Sequence, residues 1–90
     1  MDKEMKKQIL ELAKMMEEVI EDRSVPRNIR NAIDEAKNKI SDLNDATGLK
    51  FSEAIYLLDD VSNDINMPAH TRTEIWNIIS ELESVKEKLK

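Results

Sequence analysis

The 90-residue sequence has no cysteine, a single glycine and two prolines. Without cysteine there are no disulfide bonds, no thiolate zinc ligands and no cysteine nucleophile. So few glycines and prolines cannot supply the turns of an all-β fold. No apolar run approaches the ~20 residues of a membrane-spanning helix, and no apolar stretch follows the lysines of the N-terminal segment MDKEMKKQ, as a secretory signal would require. These absences predict a cytoplasmic protein with no membrane segment.

A surplus of basic residues is also lacking. The chain has 14 Lys and Arg against 19 Asp and Glu, a formal net charge of −5. This balance disfavours nucleic-acid binding, because such binding gains its affinity by neutralising phosphates. Hydrophobic residues make up 40% of the chain, enough for one core, and the length predicts a single domain over residues 1–90.

Apolar residues recur every three or four positions along four segments, which is the spacing of one helical face. The four stripes are Met5, Ile9, Leu12, Met16 and Val19; Ile29, Ile33, Ala36, Ile40 and Leu43; Phe51, Ile55, Leu58 and Val61; and Ile75, Ile78, Ile79, Leu82, Val85 and Leu89. The stretch 44–48 predicts a loop after the second stripe. We therefore expect four helices joined by short connections.

Three side chains are candidate N-caps of these helices. Asp2 precedes the first helix, and Ser24 and Asn66 each stand two residues before a proline. Proline is well tolerated in the first turn of a helix, where its missing N–H costs nothing. The residue before a proline disfavours the α-helical region of φ and ψ. The alternative interpretation is therefore that each of these helices begins one residue later.

The chain matches itself at an offset of 42 residues. The identical pairs are Glu11 and Glu53, Val19 and Val61, Asp22 and Asp64, Pro26 and Pro68, Arg30 and Arg72, and Ile33 and Ile75. Each copy covers the end of one helix, a turn and the start of the next helix, which predicts two tandem αα-hairpins at residues 2–44 and 49–90. The Asp–turn–Pro–Arg order weakly resembles the HEAT-type hairpin, although the separation of Asp and Arg is longer than in that pattern.

Two hairpins are fewer than the three or so units that a solenoid needs. We therefore expect an all-α fold, a four-helix up-and-down bundle with pseudo-twofold internal symmetry. An open stack of the two hairpins is the alternative.

Basic residues near the two turns form the first candidate site: Arg27, Arg30, His70 and Arg72. A cation at a helix N-terminus opposes the macrodipole, so a partner should offset its cost. One interpretation is the capture of an anion by the arginines and free N–H groups. The favoured one is structural, with Arg30 paired to Asp22 or Glu18 and Arg72 paired to Asp64 or Asp60.

Catalytic and metal-binding patterns are missing from the sequence. His70 is the sole histidine, and no triad of nucleophile, base and acid can be built around it. Met67 stands three residues before it, so the Glu-x-x-His motif of carboxylate-bridged metal bundles is absent. The acidic stretch 59–66 lacks the glycine and the closing glutamate of an EF-hand loop. We expect no enzyme activity, no cofactor, no metal and no small-molecule substrate.

Two aromatic residues form the second candidate site. Tyr56 and Trp76 align at the 42-residue offset with Lys14 and Asp34, so the third and fourth helices have wider apolar faces. We favour burial of both rings, since a core with few aromatics needs bulk; a contact surface for a partner is the alternative. The methionines of the first helix are interpreted as adaptable core fillers that would also suit a homodimer interface: Met5, Met15 and Met16.

The stretches SVPRNIR (24–30) and NDINMPAHTRTEIWNIISELE (63–83) resemble uncharacterised protein family 0147, a family of small archaeal proteins. The resemblance covers nearly the whole chain. It implies an all-helical bundle in an archaeal cytoplasm, and it brings no known activity or site residues.

These observations favour a non-enzymatic interaction module. Its partner would be another protein or a second copy, bound through the face that carries Tyr56 and Trp76 or through the methionine-rich face of the first helix. The alternative function is a nucleic-acid or ribosome-associated accessory protein. It would use basic residues that both turns bring to one end of the bundle: Arg23, Arg27, Arg30, His70 and Arg72.

Overall fold

Four α-helices account for most of the chain in a computed structural model that describes residues 3–89. They are α1 (Lys3–Ile20), α2 (Arg27–Ile40), α3 (Gly48–Val61) and α4 (Ala69–Lys88), and a short 3-10 helix, Leu43–Asp45, lies between α2 and α3. The described residues contain no strand. The predicted loop 44–48 is therefore partly helical, and its glycine begins α3.

The helices pack in a closed ring, because α1 and α3 each contact both α2 and α4. The bundle measures 37 × 20 × 18 Å. The ring excludes the open stack and confirms the predicted four-helix bundle, whereas the HEAT-like character of the repeat is not confirmed. Short connections make consecutive helices antiparallel.

Most residues of the predicted stripes form the core, and the other four are partly buried against it: Leu43, Val61, Ile79 and Leu89. Every residue of the α1 stripe is buried, as are Ile29, Ile33, Ala36 and Ile40 of α2, Phe51, Ile55 and Leu58 of α3, and Ile75, Ile78, Leu82 and Val85 of α4. Burial stabilises each of the larger side chains by roughly 1.5–3 kcal/mol. Val25 and Met67, from the two turns, close the core at one end.

The methionines of α1 belong to this core. Met5 and Met16 are buried, and Met15 is partly buried against the same cluster. The prediction that these methionines fill the core is thus confirmed, and little of their surface is exposed on α1. The homodimer interface on that face stays a prediction.

The starts of α2 and α4 differ from the prediction. Pro26 and Pro68 are themselves the N-cap residues, with no side-chain cap. Ser24 and Asn66 do not cap the helices; their backbone N–H groups donate to Asp side chains two residues earlier. Proline fits the N-cap because the N–H of that residue takes no part in the helix. The third candidate cap, Asp2, lies outside the described residues.

The start of α1 lies beside the end of α4. Gln8 donates to the carboxylate of Glu81 (3.0 Å), and Lys88 donates to the amide oxygen of Gln8 (2.9 Å). Among the described helices, none is both long enough and apolar enough to cross a membrane.

Candidate functional site

The two hairpin turns have the same backbone hydrogen bonds. The backbone N–H of Asp22 donates to the carbonyl oxygen of Val19 (3.1 Å), and the backbone N–H of Asp64 donates to the carbonyl oxygen of Val61 (3.0 Å). Further along each turn, Val25 N–H donates to Asp22 (3.1 Å) and Met67 N–H to Asp64 (3.2 Å). The matching identities at the 42-residue offset therefore correspond to matching turn geometry.

Arg30 and Arg72 stabilise these turns, but not through the carboxylates named above. Arg30 Nε donates to the carbonyl oxygen of Val25 (3.0 Å), and an Nη of Arg72 donates to the carbonyl oxygen of Asp64 (2.9 Å). Neither arginine forms an ion pair with a described residue. The predicted ion pairs with Asp22, Glu18, Asp64 or Asp60 are not formed, since both guanidinium groups donate to backbone carbonyls instead. Arg72 still lies close enough to Asp64 for its charge to lower the pKa of that carboxyl.

The turns also contact each other, through two pairs that the 42-residue offset makes equivalent. Asn28 Nδ2 donates to Asp64 Oδ2 (3.0 Å), and His70 Nε2 lies 3.5 Å from Asp22 Oδ2. Each pair joins the start of one helix to the turn of the other hairpin. The contacts place both turns at the same end of the bundle, as an up-and-down topology requires.

Hydrogen bonds hold both turn aspartates in the charged form. The hydroxyl of Ser24 (2.7 Å) and its N–H (2.9 Å) donate to Asp22 and lower the pKa of that carboxyl, with a smaller contribution from His70. The side chain of Asn28 and the N–H of Asn66 likewise lower the pKa of Asp64. The turn end is thus a hydrogen-bonded network that contains two anionic carboxylates.

Of the basic candidates at this end, Arg23 and Arg27 stay exposed and make no ion pair with a described residue. His70 is also exposed. Arg72 Nε and the hydroxyl of the buried Thr71 have no hydrogen-bond partner among the described atoms. Thr71 was not among the predicted site residues, although its alignment with the core residue Ile29 at the 42-residue offset could have revealed a polar group facing the interior.

Tyr56 and Trp76 lie on the surface, away from the turns. Tyr56 on α3 is 72% exposed and Trp76 on α4 is 56% exposed, so the favoured burial of both rings was wrong and the alternative of an exposed surface matches the structure. Each ring follows a buried isoleucine by one residue, Ile55 or Ile75. One residue turns a helix by about 100°, which carries the ring out of the core.

A shallow groove of about 370 Å³ runs beside Tyr56 between α2 and α3. Its lining residues are Lys39, Ser52, Glu53, Tyr56 and Leu57. Lys39 of α2 and Glu53 of α3 form an ion pair across it (2.9 Å). Leu49, two helical turns before Tyr56, is 70% exposed. Its alignment with Lys7 at the 42-residue offset is the signal that could have predicted this exposure.

The candidate residues offer exposed aromatic rings and exposed basic side chains. Within residues 3–89 no group of three or more His, Asp or Glu side chains is arranged to hold a metal ion. The two candidate sites remain separate, because the basic residues cluster at the turns and the aromatic rings lie midway along α3 and α4.

Comparison with known proteins identifies relatives of this chain. A model of an uncharacterised protein family, UPF0147, matches residues 1–85. The UPF0147 protein MJ1419 of Methanocaldococcus jannaschii is 49% identical over 75 residues, which cover 83% of this chain and 81% of that protein. A UPF0147 protein of Methanothermobacter thermautotrophicus is 41% identical over 76 residues, covering 84% of this chain and 74% of that protein.

Two crystal structures share the fold. A protein of unknown function, MMP1188, has a TM-score of 0.79 and 48% identity, covering 86% of this chain and 88% of its own. A protein from Thermoplasma acidophilum, described as a member of the uncharacterised family UPF0147, has a TM-score of 0.82 and 34% identity, covering 89% and 94%. The match over nearly the full length, shared by sequence and fold, shows that this chain belongs to the UPF0147 family.

Proposed function

We propose that the protein is a cytoplasmic, non-enzymatic interaction module that binds another protein through the outer surface of α3 and α4. The observation that carries this proposal is the exposure of Tyr56 and Trp76. Aromatic side chains are enriched at the centres of protein interfaces, where they bury a large area at a small cost in conformational entropy.

The internal repeat supports the proposal. At the positions equivalent to Tyr56 and Trp76, the first hairpin has Lys14 and Asp34, both exposed. The same fold therefore accommodates charged side chains at these positions. Because the aromatic rings add little to the core, a role at the surface accounts for them better than a role in folding.

The contacts around His70 support a non-enzymatic role. Asp22 accepts from the Ser24 hydroxyl (2.7 Å) through one oxygen and lies 3.5 Å from His70 through the other. Nucleophilic catalysis needs the imidazole between the hydroxyl and the carboxylate, so that the ring can take the hydroxyl proton. Here the carboxylate stands between them, and the three side chains instead connect one turn to the other.

The alternative, a nucleic-acid or ribosome-associated accessory role, has weaker support. Arg30 and Arg72 already donate to turn carbonyls. The remaining exposed cations, Arg23 and Arg27, share the turn end with charged carboxylates. We therefore place the binding surface on the aromatic residues and expect a protein partner.

The test is site-specific photo-crosslinking in native cell extract. A benzophenone amino acid replaces Tyr56 in one variant and Lys14 in a matched control, since these positions are equivalent in the two hairpins. We expect a discrete protein adduct from position 56 that survives nuclease treatment, and none from position 14. Equal adducts from both positions, or no adduct from either, would contradict the proposal. Loss of the adduct after nuclease treatment would favour the nucleic-acid alternative.

A further inference from the structure

We propose that the groove beside Tyr56 binds a basic amphipathic helix of the partner protein. This inference rests on the proposed function and adds the chemistry of the segment that is recognised. It is carried by an apolar strip on the outer face of α3 together with carboxylates of α2 and α3 that make no ion pair with a described residue.

The apolar strip consists of Leu49 and Tyr56, with the partly buried Leu57 at its edge. Leu49 and Tyr56 are seven residues apart on α3, so both side chains leave the same face of the helix, about 10.5 Å apart along its axis. A partner helix with apolar residues at the same seven-residue spacing matches this strip and the adjoining groove.

The charges around the strip are predominantly negative. Lys39 pairs with Glu53 (2.9 Å) and Lys50 pairs with Asp45 (2.6 Å), so these basic residues are neutralised. Some exposed carboxylates of α2 and α3 make no ion pair with a described residue. Among them, Glu35 stands four residues before Lys39 on α2, and Asp59 and Asp60 follow Tyr56 on α3.

Asp59 and Asp60 follow Tyr56 by three and four residues, which places them one helical turn along the same outer face. A lysine or arginine of the partner helix that lies beside Tyr56 would pair with these carboxylates. It would also contact the face of the tyrosine ring in a cation–π interaction. The same carboxylates repel a phosphate backbone. Charge complementarity therefore selects a basic protein segment over a nucleic acid.

A second copy of this chain is a poorer match for the groove. The face of α1 equivalent to the strip has Lys7 and Lys14 around the exposed Leu10. Glu11 and Glu18 follow those lysines by four residues, so this face mixes both signs of charge. It lacks the uniformly basic flanks that would complement the carboxylates of α3.

The test uses a defined probe, a 14-residue helical peptide of leucine and lysine with apolar residues at heptad spacing. An otherwise identical leucine and glutamate peptide is the charge control. Binding is measured by fluorescence anisotropy at low salt, and the binding surface is mapped by amide chemical shifts of the full chain. We expect the lysine peptide to bind and to perturb α3 around Tyr56, and the glutamate peptide not to bind.

Two double variants and one control assign the surface. Leu49→Lys with Tyr56→Lys introduces the residues that the first hairpin has at the equivalent positions. This variant should lower the affinity for the lysine peptide by roughly tenfold or more, as the loss of interface hot spots does. Asp59→Asn with Asp60→Asn should lower the affinity for the lysine peptide by about three- to tenfold, since each exposed ion pair contributes little. Glu11→Gln with Glu18→Gln removes the same charge from α1 and should leave binding within about twofold.

Three results would overturn the inference: equal binding of both peptides, shifts that map away from α3, or a dimer in sedimentation that Leu49→Lys with Tyr56→Lys abolishes. If the lysine peptide does not bind while a protein still crosslinks to position 56, the proposal of a basic helix is wrong and the proposal of an interaction module stands. If both experiments fail, both proposals fall.

Discussion

Gly48 occupies the first position of α3, directly after the N-cap Thr47. Its φ is not positive, and a Cβ built there would meet no heavy atom within 4 Å. The glycine is thus neither a turn residue nor a close-approach residue. Its flexibility in the unfolded chain is a cost that the folded structure does not require.

We therefore expect Gly48→Ala to raise the free energy of unfolding by about 0.4–1 kcal/mol, measured by urea denaturation. Thr47→Ala is the comparison at the neighbouring position. Thr47 Oγ1 accepts from the N–H of Lys50 (3.2 Å), and losing that cap should lower stability by about 1 kcal/mol. A destabilised Gly48→Ala variant would show that the start of α3 needs a conformation that alanine resists.

Arg72 stabilises the turn before α4, because its guanidinium donates a hydrogen bond to the backbone carbonyl oxygen of Asp64. Removing it by Arg72→Ala leaves the carbonyl of Asp64 without that donor, and we expect a loss of about 1–3 kcal/mol in thermal or urea unfolding. Arg72→Lys should restore part of the loss, since lysine can donate but lacks the planar fork. An unchanged unfolding midpoint in Arg72→Ala would move this arginine from turn support to a binding role.

At the scale of elements, the four helices could be predicted because the apolar stripes have a helical period and face one core. The exposure of Tyr56 and Trp76 was not predicted. Each ring directly follows a stripe residue and so points out of the core, and the need for bulk in a core with few aromatics does not change that direction. The acceptors of Arg30 and Arg72 were also missed, since a side-chain pattern gives no positions for turn carbonyls.

The two turns also predict how stability depends on pH. Asp22 and Asp64 have pKa values lowered by hydrogen bonds in the folded state. A carboxyl with a lowered folded pKa stabilises the protein above its unfolded pKa, and this contribution is lost as the pH falls through the folded pKa. We expect stability to decline below about pH 4, the ordinary range of aspartate.

Urea denaturation between neutral and acidic pH measures this decline. The double variant Asp22→Asn with Asp64→Asn should be less stable near neutral pH and should lose less stability on acidification. Asp59→Asn with Asp60→Asn is the matched control, because those carboxylates form no ion pair with a described residue, and its decline should follow that of the original chain. Identical declines in all three proteins would contradict a role for the turn carboxylates.

At the scale of the whole molecule, the net charge of −5 disfavours binding to RNA, and the carboxylates of Asp22 and Asp64 stand among the basic residues of the turn end. We expect no binding of a single-stranded oligouridylate at ~50 mM salt, where phosphate contacts are strongest. Anisotropy of a labelled oligonucleotide is the measurement. Salt-sensitive binding that Arg23→Gln with Arg27→Gln removes would instead establish the basic residues as a nucleic-acid site.

The contact between Gln8 and Lys88 has a consequence for the order of the chain. Since the start of α1 and the end of α4 lie side by side, a short glycine-rich linker can join them, and new ends can be opened at the connection around Leu43–Asp45. The second hairpin would then be synthesised before the first. We expect this circular permutant to form the same helical bundle, which circular dichroism and amide chemical shifts would show. The packing of the helices, rather than their order in the polypeptide, would then specify the fold.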